Sequence, residues 1–160
     1  MAAAGLRRPD LDRGVRAFSR LGNHGVGWVV LGGVVSLARR DVRPVVATAA
    51  AVWGTLAVNY GVKLVVKRER PNLDDAPQSI EPPSSTSFPS AHAAMSSAAA
   101  LALGNAVPIA RVPLRIAALA MTYSRVHLGV HHPSDVVVGY TLGAVTGRIA
   151  RALYPARRRG

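Results

Sequence analysis

The sequence predicts an all-α integral membrane helical bundle with about five transmembrane helices and an N-terminal amphipathic interfacial helix. Five apolar segments follow one another between residues 24 and 153, and most approach the length that crosses a bilayer. Hydrophobic residues make up 49% of the 160 residues but aromatic residues only 5%, and the many small residues allow helices to pack closely in lipid. The cations lie mainly at both ends and in the gaps between apolar runs, where they can meet lipid headgroups.

The charge and the lack of cysteine narrow the classes of function. With 20 Lys and Arg against 8 Asp and Glu, the net charge is +12, which is also typical of nucleic-acid-binding proteins. The placement of these charges between apolar runs favours a lipid bilayer instead, and the sequence carries no nucleic-acid-binding motif. Because there is no cysteine, disulfides, thiolate nucleophiles and cysteine-bound metals are excluded.

We divide the chain into an amphipathic N-terminal segment (1–22), a transmembrane domain (23–155) and a basic tail (156–160). Residues 6–22 can form a helix whose apolar stripe carries Leu11, Val15 and Phe18, while arginines lie off the stripe. We interpret this helix as lying on the bilayer; the alternative is a frayed tail.

The five apolar segments are expected to form the transmembrane helices. They cover residues 24–38, 44–66, 89–107, 113–128 and 133–153. Four of them begin at or near a proline, which is favoured in the first turn of a helix. Residues 67–88 are polar and rich in Pro and Ser, which predicts a loop, and long loops in compact domains are often functional.

Ionisable residues gather at one end of four of these helices. With the N-terminus and the 67–88 loop on the same membrane side, topology alone brings them to one level: Lys63, Arg70, Ser90, His92, Arg125, His131 and Asp135. Such residues at membrane depth are costly and indicate function. Three cations without matching acids favour an anion of two or more charges, and the arginine fork suits phosphate oxygens. Two histidines can then share nucleophilic attack and proton transfer.

Three motifs identify the family that this pattern resembles. The pattern Lys63-x6-Arg70-Pro, the stretch Pro-Ser90-Ala-His92, and Ser-Arg125-x5-His131-x3-Asp135 follow one another in the sequence. In order and internal spacing they resemble the three signature motifs of the type 2 phosphatidic acid phosphatase (PAP2) superfamily of membrane lipid phosphatases. One position departs from the family pattern: Ala91 stands where glycine is usual.

The resemblance implies a role for each motif residue. His131 is expected to be the nucleophile that forms a phosphohistidine, oriented by Asp135, and His92 the general acid that later activates water. Phosphate binding is expected from five residues, namely Lys63, Arg70, Ser90, Ala91 and Arg125. No metal and no cofactor are expected, because fixed cations stabilise the negative charge on the equatorial phosphate oxygens.

The implied reaction is metal-independent hydrolysis of a phosphomonoester or diphosphate on a membrane lipid. The family acts on polyprenyl diphosphates, phosphatidylglycerol phosphate, phosphatidate and polyprenyl-phosphoryl sugar phosphates. The Ala-, Arg-, Val- and Gly-rich composition indicates a GC-rich genome, which favours a polyprenyl lipid of arabinan cell-wall synthesis. Two alternatives stay open: a catalytically silent membrane scaffold with this fold, and a soluble relative similar to vanadium haloperoxidases.

Several neighbouring residues are expected to have ordinary roles. We expect His127 to be a hydrogen-bonded helix residue and His132 to lie at the rim of the site. Lys67 and Arg68 are interpreted as cations that reach towards headgroups. Asp74 and Asp75 are interpreted as solvated loop charges. A zinc site at His127, His131 and Asp135 is disfavoured, because Pro133 interrupts the helical register and arginines lie nearby.

The expected location is the bacterial inner membrane. Once the three cations assigned to the site are set aside, the side carrying the 67–88 loop has seven cations and the other side ten. Because cytoplasmic loops are enriched in Lys and Arg, the site is predicted on the extracytoplasmic side. The sequence leaves the oligomeric state undetermined.

Overall fold

The structure, a computed structural model, describes residues 9–71 and 85–155, and within these ranges the all-α fold class is confirmed. The helices are α1 (Pro9–Leu21), α2 (Val26–Arg39), α3 (Arg43–Val66), α4 (Ala91–Ala106), α5 (Arg111–His127) and α6 (Pro133–Leu153). One turn of 3₁₀ helix, Asn23–Gly25, joins α1 to α2 and is called the interhelix turn below. The basic tail at 156–160 and the loop aspartates Asp74 and Asp75 lie outside the described residues.

The ends of the helices follow from local chemistry. Pro44 and Pro133 lie in the first turns of α3 and α6, where proline costs no hydrogen bond. The Asp135 carboxylate accepts the His132 backbone N–H at 2.9 Å, which satisfies a free donor at the start of α6. Asp10 and Asp12 open α1 and Arg20 closes it, in keeping with the helix dipole.

Helix α4 is the central helix of the bundle. It packs against α3, α5 and α6, and 13 of its 16 residues are buried. Its composition explains this, because alanine, serine and glycine let three neighbours approach at once. The core beside it contains Trp28, Val52, Met95 and Leu103, and the Trp28 indole donates a 2.9 Å hydrogen bond to Ser96 Oγ.

A stripe of three glycines on α6 allows its close contact with α4. A Cβ atom at Gly139 would lie 2.5 Å from the Ser90 carbonyl oxygen, and one at Gly147 would lie 2.8 Å from Ala98 Cα. At Gly143 a Cβ would collide with the Ala94 carbonyl oxygen. The stripe therefore sets the spacing of the two helices that carry the second and third motifs.

The outward faces of the bundle are apolar. Large hydrophobic side chains are exposed on four helices: Val30, Val34 and Leu37 on α2, Val58, Leu64 and Val65 on α3, Ile116 and Leu119 on α5, and Val137, Val145 and Ile149 on α6. Apolar surface of this extent is typical of helices that face lipid or a partner. By length and apolarity α3 qualifies by itself as a membrane-crossing helix, and the pair of α1 with the interhelix turn and α2, bent by 48°, qualifies jointly.

We predict that Gly143→Ala destabilises the protein, because α4 and α6 must separate to admit the methyl group. The expected loss is about 1–3 kcal/mol, or a fall of about 3–10 °C in Tm in detergent. Gly54→Ala is the matched control, since a Cβ there meets no atom within 4 Å and alanine favours a helix. Equal Tm values for the two variants would contradict the close-contact interpretation.

Candidate active site

The start of α4 and the start of α6 meet at the centre of the candidate site. Ser90 precedes α4 and is fully buried, and its backbone N–H donates to the Asp135 carbonyl oxygen at 3.0 Å. Ala91 and His92 form the first turn of α4, so the second motif lies directly against the third. The close approach depends on Gly139, whose missing side chain makes room for the Ser90 backbone.

His131 lies between a carboxylate and a guanidinium group. Its Nδ1 is 3.6 Å from Asp135 Oδ2, and its Nε2 is 3.5 Å from Arg70 Nη1. Both His131 and Asp135 are almost completely buried. Burial, and then the positive charge of Arg70, lower the pKa of His131 to about 2. The ring is therefore neutral at physiological pH, which is the state that the predicted role as a nucleophile requires.

Three cations surround this histidine. Lys63 comes from the last turn of α3, where its Nζ donates to the Thr86 carbonyl oxygen at 2.9 Å. Arg70 follows α3 and donates to the Val130 carbonyl oxygen at 2.6 Å. Arg125 comes from the last turn of α5, is 2% exposed and bonds the Ser19 hydroxyl. His131 lies in the field of all three cations and of His92, so the structure brings the residues of all three motifs together.

Two short extended stretches hold Arg70 in place. The Ser87 backbone N–H donates to the Arg68 carbonyl oxygen at 2.8 Å, and Glu69 pairs with Thr86 in an antiparallel bridge. Arg68 and Glu69 therefore pair with Thr86 and Ser87, next to the N-terminus of α4.

Buried polar atoms that lack a hydrogen bond cluster at this site. Among the described residues there are four such side-chain atoms: Asn59 Oδ1, Ser90 Oγ, Arg125 Nε and His131 Nδ1. Three belong to residues predicted for the site, and Asn59 lies one helical turn before Lys63. Unpaired buried polar groups are costly, so their concentration at one place indicates a site for a polar ligand.

The sequence interpretation missed Arg68, which does not simply reach towards headgroups. Its Nη1 donates to Asp135 Oδ1 at 3.0 Å and to Ser134 Oγ at 2.8 Å. Arg68 therefore adds a charged partner to the carboxylate beside His131. A signal was available, since Arg68 and Arg70 are two residues apart and lie on the same side of an extended stretch.

The sequence also missed polar residues of the N-terminal helix and the interhelix turn. Asn23 Oδ1 lies 3.1 Å from His92 Nε2, and Ser19 bonds Arg125. Asp12 Oδ1 lies 2.8 Å from Nε2 of His127, which is thus the hydrogen-bonded helix residue that we expected. No periodicity in the sequence identifies these contacts, because their partners are 69 to 115 positions away.

Comparison with known proteins places the chain in a family. The model of the PAP2 superfamily matches residues 42–159. Decaprenylphosphoryl-5-phosphoribose phosphatase of Mycobacterium tuberculosis is 39% identical over 158 residues, covering 95% of this chain and 85% of the relative. The protein of that name from Mycolicibacterium smegmatis is 39% identical over 138 residues, covering 86% of this chain and 76% of the relative.

Solved structures agree with these matches. A transmembrane PAP2-type phosphatidylglycerolphosphate phosphatase from Bacillus subtilis superposes with a TM-score of 0.75 and 25% identity, over 95% of this chain and 80% of that one. Aquifex aeolicus LpxE gives a TM-score of 0.67 and 25% identity, over 93% and 90%. The transmembrane neighbours and the apolar outer faces indicate a membrane protein. The chain belongs to the PAP2 superfamily and is a lipid phosphatase.

Proposed function

We propose that this protein hydrolyses the terminal phosphomonoester of a polyprenyl-phosphoryl ribose phosphate, the substrate type named for its mycobacterial relatives. The identity of 39% extends over 95% of the chain, which includes the N-terminal helix as well as the three motifs. The observation that carries the proposed mechanism is the setting of His131, with one ring nitrogen towards Asp135 and the other towards Arg70.

In the first step, His131 Nε2 attacks phosphorus and forms a P–N bond while the bond to the sugar oxygen breaks. His92, as the protonated imidazolium, gives its proton to the departing oxygen, so the lipid leaves as a neutral alcohol. Asp135 faces Nδ1 and stabilises the positive charge that develops on the phosphorylated ring.

In the second step, water attacks the phosphohistidine. His92, now neutral, takes a proton from the water, the P–N bond breaks, and inorganic phosphate leaves. His131 is returned to its neutral form and His92 to its protonated form. One ester bond and one water molecule are consumed in each cycle.

The phosphate is held by Lys63, Arg70 and Arg125, together with the Ser90 hydroxyl and the backbone N–H groups at the start of α4 near Ala91. Arginine forks bind two phosphate oxygens at once, and N–H groups at a helix start favour anions. These fixed charges stabilise the equatorial oxygens of the transition state, and the mechanism requires no metal ion.

We further propose that α2 to α6 each cross the bilayer and that the site opens on the extracytoplasmic side. The apolar outer faces of α2, α3, α5 and α6 would then meet lipid. The ends of α2 and α4 and the starts of α3 and α5 lie at the opposite side of the bundle from the candidate site, and they carry, with the residue that follows α2, Arg39, Arg40, Arg43, Arg111 and Arg115. An excess of arginine there is typical of the cytoplasmic side.

The substrate and the nucleophile can be tested together with purified protein and a panel of lipid phosphates. We expect the highest kcat/KM for decaprenylphosphoryl-5-phosphoribose among four lipids that include phosphatidylglycerol phosphate, phosphatidate and a polyprenyl diphosphate. His131→Ala should lower phosphate release by at least about 1000-fold, because the variant lacks the nitrogen that forms the P–N bond in this mechanism.

The matched control is His132→Asn, which replaces the adjacent histidine with a residue that also caps a helix start. We expect it to retain activity within a few-fold. Protein quenched in alkali during turnover should carry phosphate on His131, detected by mass spectrometry. Full activity of His131→Ala would contradict the mechanism, and a preference for phosphatidate would contradict the proposed substrate.

Metal independence gives a separate prediction. EDTA should leave phosphate release unchanged, because cationic side chains supply the charge stabilisation. Vanadate should inhibit competitively, since it adopts the five-coordinate geometry of phosphoryl transfer. Inorganic phosphate assays with and without each reagent check both statements, and an absolute requirement for Mg²⁺ would overturn this mechanism.

Arg68 is predicted to act as a positioning residue through Asp135. Arg68→Ala removes a charge-assisted hydrogen bond worth about 1.5 kcal/mol, so we expect kcat to fall by about 10-fold with KM nearly unchanged. Arg68→Lys should recover part of the loss. Lys67→Asn is the control, because Lys67 is exposed and has φ 47°, a conformation that asparagine tolerates. A rise in KM without a change in kcat would assign Arg68 to substrate binding instead.

A further inference from the structure

The N-terminal segment (residues 9–25) packs against the candidate site and forms three polar side-chain contacts with the helices around it. Two contacts reach predicted site residues, Ser19 with Arg125 and Asn23 with His92, and the third joins Asp12 to His127 at the end of α5 beside the site. Ser19 is fully buried, so the segment packs tightly against the bundle beside the site. The family model matches from residue 42 onward, and the three signature motifs lie within that match. Neither the family match nor the motifs therefore assign a role to this segment.

Gly22 and the interhelix turn that follows it fit closely against His92. A Cβ atom at Gly22 would lie 2.7 Å from His92 Cδ2, so glycine is needed for the ring to lie against the backbone. Next to Asn23, His24 has φ 51° and Gly25 has φ 71°, and Gly25 is buried against Val52. These constraints fix the backbone of Asn23 and direct its amide at the ring.

Asn23 lies beside the His92 ring in the way that Asp135 lies beside the His131 ring. Each histidine has one ring nitrogen facing a side-chain oxygen, at 3.1 Å in the first pair and 3.6 Å in the second. A partner of this kind fixes the orientation and tautomer of an imidazole and leaves the other nitrogen for proton transfer. With Nε2–H donated to Asn23, His92 would exchange protons through Nδ1.

The difference between the two partners matches the different charges that the rings carry. A phosphorylated His131 is positively charged, and a carboxylate stabilises that charge. His92 must alternate between charged and neutral forms in each cycle, and a neutral amide orients the ring without holding it in the charged form.

We propose that Asn23 is a positioning residue of the phosphatase site, which orients His92 for proton transfer to the leaving oxygen. The inference rests on the proposed function, because it needs His92 as the general acid. The N-terminal segment is then a working part of the active site, in addition to any contact that α1 makes with the bilayer.

Leaving-group dependence tests this role. Octyl phosphate has a poor leaving group that needs a proton, whereas p-nitrophenyl phosphate does not, and kcat/KM reports the steps up to departure of the alcohol. Asn23→Ala should lower kcat/KM by about 100-fold for octyl phosphate and by less than about 3-fold for p-nitrophenyl phosphate. Asn23→Leu, which keeps the size of the side chain but not its polar atoms, should behave alike and covers the case of a poorly folded alanine variant.

A double-mutant cycle separates positioning from a merely structural role. If Asn23 acts through His92, then Asn23→Ala should have little further effect on octyl phosphate in a His92→Ala background. Asp10→Asn is the control within the N-terminal segment, since Asp10 is exposed, pairs with exposed Arg13 and should leave kcat/KM unchanged.

The outcomes are distinguishable from those of the proposed function. Equal losses on both esters, or losses that add fully to those of His92→Ala, would overturn the positioning role while the phosphatase proposal stands. Release of no phosphate by the parent protein, from either ester or from the lipid panel, would contradict the proposed function itself.

Discussion

The close packing of α4 against α6 is the constraint on which the rest of the site depends. Three glycines at four-residue spacing on α6 face the backbone of α4, so the two helices approach more closely than any side chain would permit. The contact ends at the hydrogen bond from the Ser90 N–H to the Asp135 carbonyl oxygen. Helix packing in the apolar interior therefore fixes the distance between the second and third motifs, which lie at the starts of α4 and α6.

Helix length then sets the depth of the site. With 16 residues, α4 is about 24 Å long, shorter than the hydrocarbon core of about 30 Å, whereas α3 with 24 residues is about 36 Å long. The Asn59 amide donates to the Pro89 carbonyl oxygen at 3.2 Å, so α4 begins level with a point seven residues before the end of α3. The site is thus recessed by about 10 Å from that end. A recessed site suits a lipid whose phosphate stays close to the membrane surface.

The sequence predicted the helices and the motif residues because both depend on local patterns. Apolar runs, first-turn prolines and the spacing of the motifs lie within short windows, and five helix ends at one level follow from chain topology. The contacts of Asn23 and Ser19 could not be predicted this way, because they depend on how α1 and the interhelix turn pack against α4 and α5, which no local pattern encodes. Arg68 was partly predictable. Its two-residue spacing from Arg70 is visible in the sequence, but its partner Asp135 lies 67 residues away.

The charge arrangement of the candidate site suits a phosphate better than a cation or a neutral group. Lys63 and Arg125 donate to neutral oxygens, of Thr86 and Ser19, which satisfy their hydrogen bonds without cancelling their charge. Asp135, the buried carboxylate, is instead paired with Arg68, which is 39% exposed at the edge of the site. The carboxylate beside His131 therefore has a cation of its own in Arg68, which leaves more of the positive charge of Lys63, Arg70 and Arg125 uncompensated. Bringing such charges into an apolar bundle is costly in the absence of an anion, and a doubly charged phosphate that enters this field offsets that cost directly.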